Sequence, residues 1–439
     1  MNNPIVYQLP SIESKTNILS TNADIKVSKT INYPKFQYGF NHFIYSTKDK
    51  MEVTIGKKKF YYVVNPYEHT IDKYESSLDN VTQKYFELKN KPDILSRAFY
   101  KLWEIIFMFN LIPDDQKNFT SAHLAEGPGS FIQAVIYYRE KFCKPELTKG
   151  DKLFGITLHK ESKNVPEMER NFIKSFDKKF NLHRTVDINT AKNNKYDNGD
   201  ITDVKTINNF YNTVKSSGKL ADLVTADGGF VWKNENFQEQ EAYVLLFGEI
   251  IGGLRVQAEG GNFIIKFFES YTNVTIKFLN ILQIFYDNVF IVKPLTSRTS
   301  NSEKYIVCSK LLKIPDFDKK IKILENLLEK MKQEKAKGYY IIDIFPDYKI
   351  PSELEKVVLH SNMDITNNQM IMINQIVDYI NGGNYYGEKY NAYREKQIEA
   401  TENWIKTFYP KNNLKDIKNN IQKETIKIIE NNKKIITSK

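Results

Sequence analysis

Cysteine is scarce in this sequence: Cys143 and Cys308 are the only two among 439 residues. Two thiols build no disulfide framework, and so few fit a reducing compartment. The six histidines are scattered, and no Cys/His set has metal-ligand spacing, so no metal site is expected. No apolar run approaches the length of a membrane span. The start, "MNNPIVYQLPSIESK", lacks the basic and apolar regions of a secretory signal. Internal repeats and long low-complexity linkers are missing as well. The expectation is a soluble, intracellular protein with no membrane partner. Nucleus, cytoplasm and, for a viral protein, virion or viral factory are not distinguished.

What is present in quantity is apolar side chain and positive charge. The chain is 41% hydrophobic and carries a net charge of +10. The first supplies a real core, and the second makes a polyanionic partner such as nucleic acid plausible without requiring one.

Three regions differ in pattern. Residues 1–90 read as an N-terminal extension of short strands and turns. "KFQYGFNHFIY" and "KKKFYYVVNPYEHT" are aromatic and β-branched, and "TIGKKK" reads as a hairpin turn. Residues 91–312 alternate helix-like and strand-like segments. The strands are "SAHLAE", "KLFGITL", "HRTVDI", "LADLVTADGG", "NFIIKFF", "NVFIVKP" and "EKYIVCS". Such alternation predicts a doubly wound α/β sheet of seven strands. Only a loop joins the last two strands, so that pair is expected to be antiparallel. Residues 313–439 read as a mostly helical C-terminal extension with amphipathic segments. Its tail, 410–439, holds eight lysines against Asp416, Glu424 and Glu430. A solvated helix docked by one apolar stripe explains that tail, and contact with an RNA backbone is the other reading.

Two local features suggest chemistry. "HLAEGPGSF" places Glu126, Gly127, Pro128, Gly129, Ser130 and Phe131 between a strand and its helix, where glycines let a ligand approach the backbone. It is a poor dinucleotide fingerprint, because Phe131 stands at the third glycine position and no acidic residue follows "FGITL". An acidic residue ahead of the glycines suits a ligand with an amino group, which points to S-adenosylmethionine (SAM) rather than NAD. The second feature is Lys266, which interrupts the apolar strand "NFIIKFF". A buried amine is costly unless it is paired or has work to do. Asp227 ends its own strand, Glu303 opens the last strand, and Lys101 lies in the helix before the sheet. One pocket at the carboxyl edge of the sheet could gather all four.

The series "SRAFYKLWEI", "EGPGSF", "GDIT", "ADGGF", "GGNFIIKFF" and "KPLTSRTSNSEKYIV" resembles the FtsJ-like family of RNA ribose 2′-O-methyltransferases. The resemblance covers roughly 91–312 and is nearest to the eukaryotic and viral branch that methylates mRNA caps. It implies a Rossmann-like SAM-dependent methyltransferase sheet and a catalytic tetrad of Lys101, Asp227, Lys266 and Glu303. It also implies SAM contacts at Glu126, Gly127, Pro128, Gly129, Ser130, Phe131, Thr157, Asp200 and Asp227. The implied substrate is RNA, at a capped mRNA 5′ end, with other capping-enzyme subunits as further partners. Alanine precedes Glu126 where the family often has aspartate nearby, a change that keeps the acidic charge in the loop.

The implied reaction is attack of a ribose 2′-hydroxyl on the sulfonium methyl. Lys266 is expected to act as base or to steer the hydroxyl, with Asp227 as its partner, Lys101 tuning the charge and Glu303 positioning the lysines. Burial and nearby positive charge lower a lysine pKa, whereas Asp227 and Glu303 oppose that shift. Arg97, Trp232, Arg298 and Ser300 are candidate RNA contacts, with a loop salt bridge as the other reading of Arg298. Trp103 and Tyr271 are weaker stacking candidates that also read as core. Two other functions fit the same residues: 2′-O-methylation of internal rRNA or tRNA sites, and a catalytically silent RNA-binding subunit. The intact tetrad speaks against the second.

Overall fold

The structure is a computed structural model that describes residues 3–11, 17–31, 40–57, 59–71, 74–88, 93–158, 168–175, 180–182, 198–229, 232–383 and 386–438. Ten strands are present among them: β1 Ile5–Gln8, β2 Ile25–Ser28, β3 Thr120–Leu124, β4 Lys152–Ile156, β5 Phe180–Leu182, β6 Ala221–Ala226, β7 Gln257–Phe267, β8 Tyr286–Lys293, β9 Lys304–Leu311 and β10 Tyr340–Ile344. The main sheet runs β1-β8-β9-β7-β6-β3-β4-β5. β3 pairs in parallel with β4 and β6, and β6 with β7. β9 is antiparallel to both β7 and β8. The seven strands β3–β9 form the expected mixed sheet, with the antiparallel pair at its end. The expected strand "HRTVDI" lies outside the described residues, and β5 is the strand described at that edge.

Strand alternation divides the core in two. Phe263, Ile265 and Phe267 of β7 join one apolar cluster with Ile306 and Cys308 of β9. Ile264, Tyr305 and Val307 join the other, together with Phe99, Leu102 and Trp103 of the Ala98–Phe109 helix. With a side-chain period of two, Lys266 falls on the face of Ile264 and looks toward that helix. The sheet therefore turns Lys266 toward the layer that holds the Lys101 helix.

The N-terminal extension departs from the strand-and-turn expectation. β1 joins the main sheet as an eighth strand, antiparallel to β8. β2 pairs with β10, an unexpected strand in the otherwise helical C-terminal extension. "KFQYGFNHFIY" contributes instead to a helix, Phe40–Asp49, and "KKKFYYVVNPYEHT" to a 3₁₀ segment, Lys59–Val64. "TIGKKK" is no hairpin turn, since Gly56 (φ +72°) lies between two 3₁₀ segments rather than two strands. The cause is tertiary. Ile44 and Tyr45 bury one helix face against Met370 and Tyr271, while Tyr61, Val63 and Val64 pack on Met372 and Ile376. Aromatic and β-branched residues favour any half-buried surface, and here that surface belongs to the long Ser352–Asn381 helix. No described helix is long and apolar enough to cross a membrane.

Candidate active site

A cavity of about 880 Å³ opens beyond the carboxyl ends of β3, β4, β6 and β7. β3 lies between β4, where one run of strands departs, and β6, where the other departs, so the cavity sits at the topological switch point that favours ligands in such sheets. Glu126, Gly127, Pro128, Ser130, Phe131, Thr157, Asp200 and Asp227 all line it. Of the residues expected around SAM, only Gly129 is not part of the lining. Its φ of +114° instead turns the chain into the Ser130–Phe142 helix, and a Cβ there would lie 3.2 Å from the Phe172 ring.

The loop is bent at its first residue, where Ala125 holds φ +50°, a conformation uncommon for a residue with a Cβ. Glu126 is buried by this turn. Its Oε1 accepts the N–H groups of Phe131 (2.8 Å) and Ile132 (2.9 Å) at the helix N-terminus, and its Oε2 lies buried 3.9 Å from His123 Nδ1. The carboxyl thus braces the loop against the start of the following helix. The partly exposed acids of the wall are Asp200, Asp227 and Glu241.

The four expected catalytic residues meet as two ion pairs. Lys266 Nζ lies 3.1 Å from Asp227 Oδ1 and donates to the Asp227 carbonyl oxygen at 2.8 Å. Lys101 Nζ lies 2.7 Å from Glu303 Oε1. Register explains the first meeting. Lys266 stands opposite Tyr305 in the β7–β9 ladder, and Ile265 opposite Ala226, the residue before Asp227. Lys266 and Asp227 line the cavity, whereas Lys101 and Glu303 stand outside its lining.

Charge is shared between the pairs. Burial disfavours charge on Lys266, but Asp227 and Glu303 outweigh it and hold the amine above its ordinary pKa. Of the two opposing influences expected from the sequence, the acids prevail, because both act on the amine at close range. Burial also opposes charge on Glu303, yet Lys101 and Lys266 hold its carboxyl far below the usual range.

Several supporting residues escaped the sequence reading. Tyr305 donates its hydroxyl to Asp227 Oδ1 (3.0 Å), and Ser297 donates to Glu303 Oε1 (2.8 Å). Lys293, which burial pushes down to about 7, donates to the Glu303 carbonyl oxygen at 2.7 Å. Tyr305 was within reach of the sequence, since it shares a strand face with Glu303 two residues earlier. The others depend on how the 294–302 loop folds back.

The candidate RNA contacts have different surroundings. Glu68, from the N-terminal extension, forms ion pairs with both Arg97 and Arg298 (2.8 Å to Arg298 Nε). Arg298 also stacks over Tyr62, 3.9 Å from the ring centroid. Both guanidinium groups are therefore engaged within the chain. Ser300 lends its carbonyl oxygen to Gln369 Nε2 at 3.3 Å. Trp232 lines the cavity and meets Phe268 edge-on at 4.6 Å. Trp103 and Tyr271 are core: Trp103 Nε1 donates to the Phe408 carbonyl oxygen, and the Tyr271 hydroxyl pairs with Thr366. Among the described residues no cluster of three or more His, Cys, Asp or Glu residues has the arrangement to hold a metal ion.

Two buried carboxyls behind the site make stability depend on pH. Burial pushes Glu249 up to about 8, against the pull of Lys266 and the Gly228 N–H it accepts at 2.9 Å. Burial likewise pushes Glu104 up to about 7, although it accepts from Thr296 and Leu295. Both folded values lie above the unfolded value of about 4.3. The stability these groups contribute is therefore fully present below that pH and is lost as pH rises to 7–8. Melting temperature should fall by roughly 5 °C between about pH 5 and 8. Glu249→Gln keeps an acceptor for Gly228 and should flatten the fall. A melting temperature constant across this window, or an unaltered slope in the variant, contradicts the assignment.

Comparison with known proteins agrees with the geometry. The family profile described as FtsJ-like methyltransferase matches residues 94–311. Cap-specific mRNA (nucleoside-2′-O-)-methyltransferase 2 of Drosophila melanogaster is 28% identical over 61% of this chain and 37% of its own length. The Pongo abelii protein of the same name is 29% identical over 60% of this chain and 32% of its own. An African swine fever virus protein, named Probable methyltransferase EP424R, is 27% identical over 59% of this chain and 57% of its own. The chain thus spans from about a third to rather more than half the length of these relatives. The matched segment runs from just before the Lys101 helix to the end of β9 and holds all four charged residues, so the chain belongs to the FtsJ-like methyltransferase family.

Proposed function

We propose that this chain is a SAM-dependent RNA ribose 2′-O-methyltransferase that acts on capped mRNA, at the first transcribed nucleotide. The observation that carries the reading is the pairing of Lys266 with Asp227 at the wall of the cavity, with the Lys101–Glu303 pair close enough to bias it.

The cavity suits the methyl donor. Its volume falls within the range of roughly 300–1,000 Å³ usual for such ligands. Asp200 and Asp227 supply negative charge for a cationic ligand, and Leu158, Val244 and Leu245 supply apolar wall. A Cβ at Gly229 would stand 3.5 Å from Lys266 Nζ, so the glycine keeps the space before the amine free. Bound there, SAM supplies an electrophilic methyl group on a sulfonium.

The chain's own residues then have to place a hydroxyl and take its proton. Lys266 spends two N–H groups on Asp227, which leaves a third for the oxygen of a ribose hydroxyl. Asp227 is itself held by Tyr305, so the amine has a fixed direction. Alignment of this kind is the larger part of catalysis for a displacement with a neutral leaving group. For transfer the amine first loses its third proton to solvent, its lone pair then takes the hydroxyl proton as the oxygen attacks, and the Asp227 and Glu303 carboxylates stabilise the ammonium so formed.

The relatives named for cap-specific transfer favour the cap over internal rRNA or tRNA sites. Capped and uncapped forms of one short transcript, incubated with labelled SAM, test the choice. Label should enter the capped form, at the first nucleotide, and a first nucleotide already 2′-O-methylated should block it. Equal labelling of uncapped RNA supports the internal-site reading, and no labelling of any RNA supports the silent one.

A further inference from the structure

The Phe317–Ala336 helix lies beyond the matched family segment, yet it forms one wall of the cavity. Ile321, Leu324, Leu327, Leu328 and Met331 bury its apolar stripe, which fixes the helix against the domain. Lys332, Lys335 and Ala336, in the next turn, reach the cavity lining. Lys335 Nζ donates to the Glu241 carbonyl oxygen at 3.1 Å and ties the helix end to the Gln238–Val256 helix.

Lys332 bridges two acids. Its Nζ stands 3.4 Å from Asp200 Oδ2 and 3.7 Å from Asp203 Oδ2. Each acid is also held from its other side. Asp200 Oδ1 accepts from Thr202 N (3.0 Å) and Thr202 Oγ1 (2.6 Å), and Asp203 caps the Val204–Lys215 helix through Lys205 N. Without Lys332 these two carboxylates, three residues apart in one turn, would lose their shared counter-charge.

Resting on the donor-site reading above, we propose that Lys332 is a positioning residue for the methyl donor, holding the Asp200 carboxylate at the cavity wall from outside the family domain. The binding site is then completed by the C-terminal extension. Lys332 touches no reacting atom, so its effect falls on donor affinity rather than on the transfer step. Both partners are partly exposed, at 41% and 32% of the side chain, which keeps the effect moderate.

Titration of the full chain with S-adenosylhomocysteine, a ligand that binds without turnover, tests this. Lys332→Ala should weaken binding about two- to fivefold. It should raise the KM for SAM to match and leave kcat unchanged. Lys332→Arg should restore affinity, and Lys332→Glu should weaken it further by placing three carboxylates together. Raising the salt to about 0.5 M should narrow the gap between Lys332→Ala and the parent. Unchanged affinity in Lys332→Ala overturns the inference, as does a loss that Lys332→Arg fails to restore. A parent chain that binds no S-adenosylhomocysteine overturns the donor-site reading instead.

Discussion

Lys266→Ala should lower methyl transfer by roughly 10³-fold or more while donor binding survives. The estimate combines the loss of a positioned proton-handling group, worth about 10²–10⁴-fold, with the loss of the amine that orients the hydroxyl. Donor affinity should persist because the glycine loop, Thr157 and Asp200 line the cavity independently of Lys266. Asp227 loses one partner in this variant but keeps the Tyr305 hydroxyl. Near-normal turnover would exclude the assigned role. The pH profile divides that role further. Asp227 and Glu303 hold the amine above the ordinary lysine value, so little of it is neutral at pH 7. If the neutral amine takes the proton before the methyl moves, transfer rises with pH from about 7 to 9. A flat profile over that span leaves Lys266 only the steering of the hydroxyl.

Gly248→Ala should be the most damaging change that touches no charged group. In the Gln238–Val256 helix, a Cβ at this position would stand 2.2 Å from the Ile201 carbonyl oxygen and 3.3 Å from Thr202 Cα. Those are backbone atoms, which cannot rotate aside. Replacing glycine by alanine inside a helix ordinarily gains about 1 kcal/mol. Overpacking a close backbone contact costs about 3 kcal/mol, so the clash wins. The melting temperature should fall by about 2 °C, given about 1 °C per kcal/mol in a chain of 439 residues. The displaced turn carries Asp200 and Thr202, so affinity for S-adenosylhomocysteine should fall with it. A variant with unchanged melting temperature would mean that the helix and the 198–203 turn are not in contact.

The positions where sequence and structure diverge share a physical cause. Lys266 was legible because a charge inside an apolar strand is locally expensive, and Asp227 because it ends a strand beside glycines. The antiparallel end of the sheet followed from a connection too short for a crossover. The aromatic runs at 40–45 and 59–64 depart from the expected strands because their packing surface, the Ser352–Asn381 helix, lies some three hundred residues away. Arg298 left open a choice between RNA contact and a loop salt bridge, and both it and Arg97 meet Glu68, whose nearness no local pattern announces. The sequence leaves the direction of the Lys266 shift open for the same reason. Burial could be guessed from one strand, but the sum of two acids against it required their distances.

By itself the sequence determined the alternating α/β sheet and the glycine turn at the end of β3, because each leaves a mark within a few neighbours along the chain, while the four charged residues were singled out together only through the family resemblance. Tertiary structure alone decided which cations are already paired, how β1 and β10 join sheets and that a C-terminal helix walls the cavity. Those outcomes rest on contacts between segments far apart in the chain, where energy depends on distance in space and leaves no periodic trace.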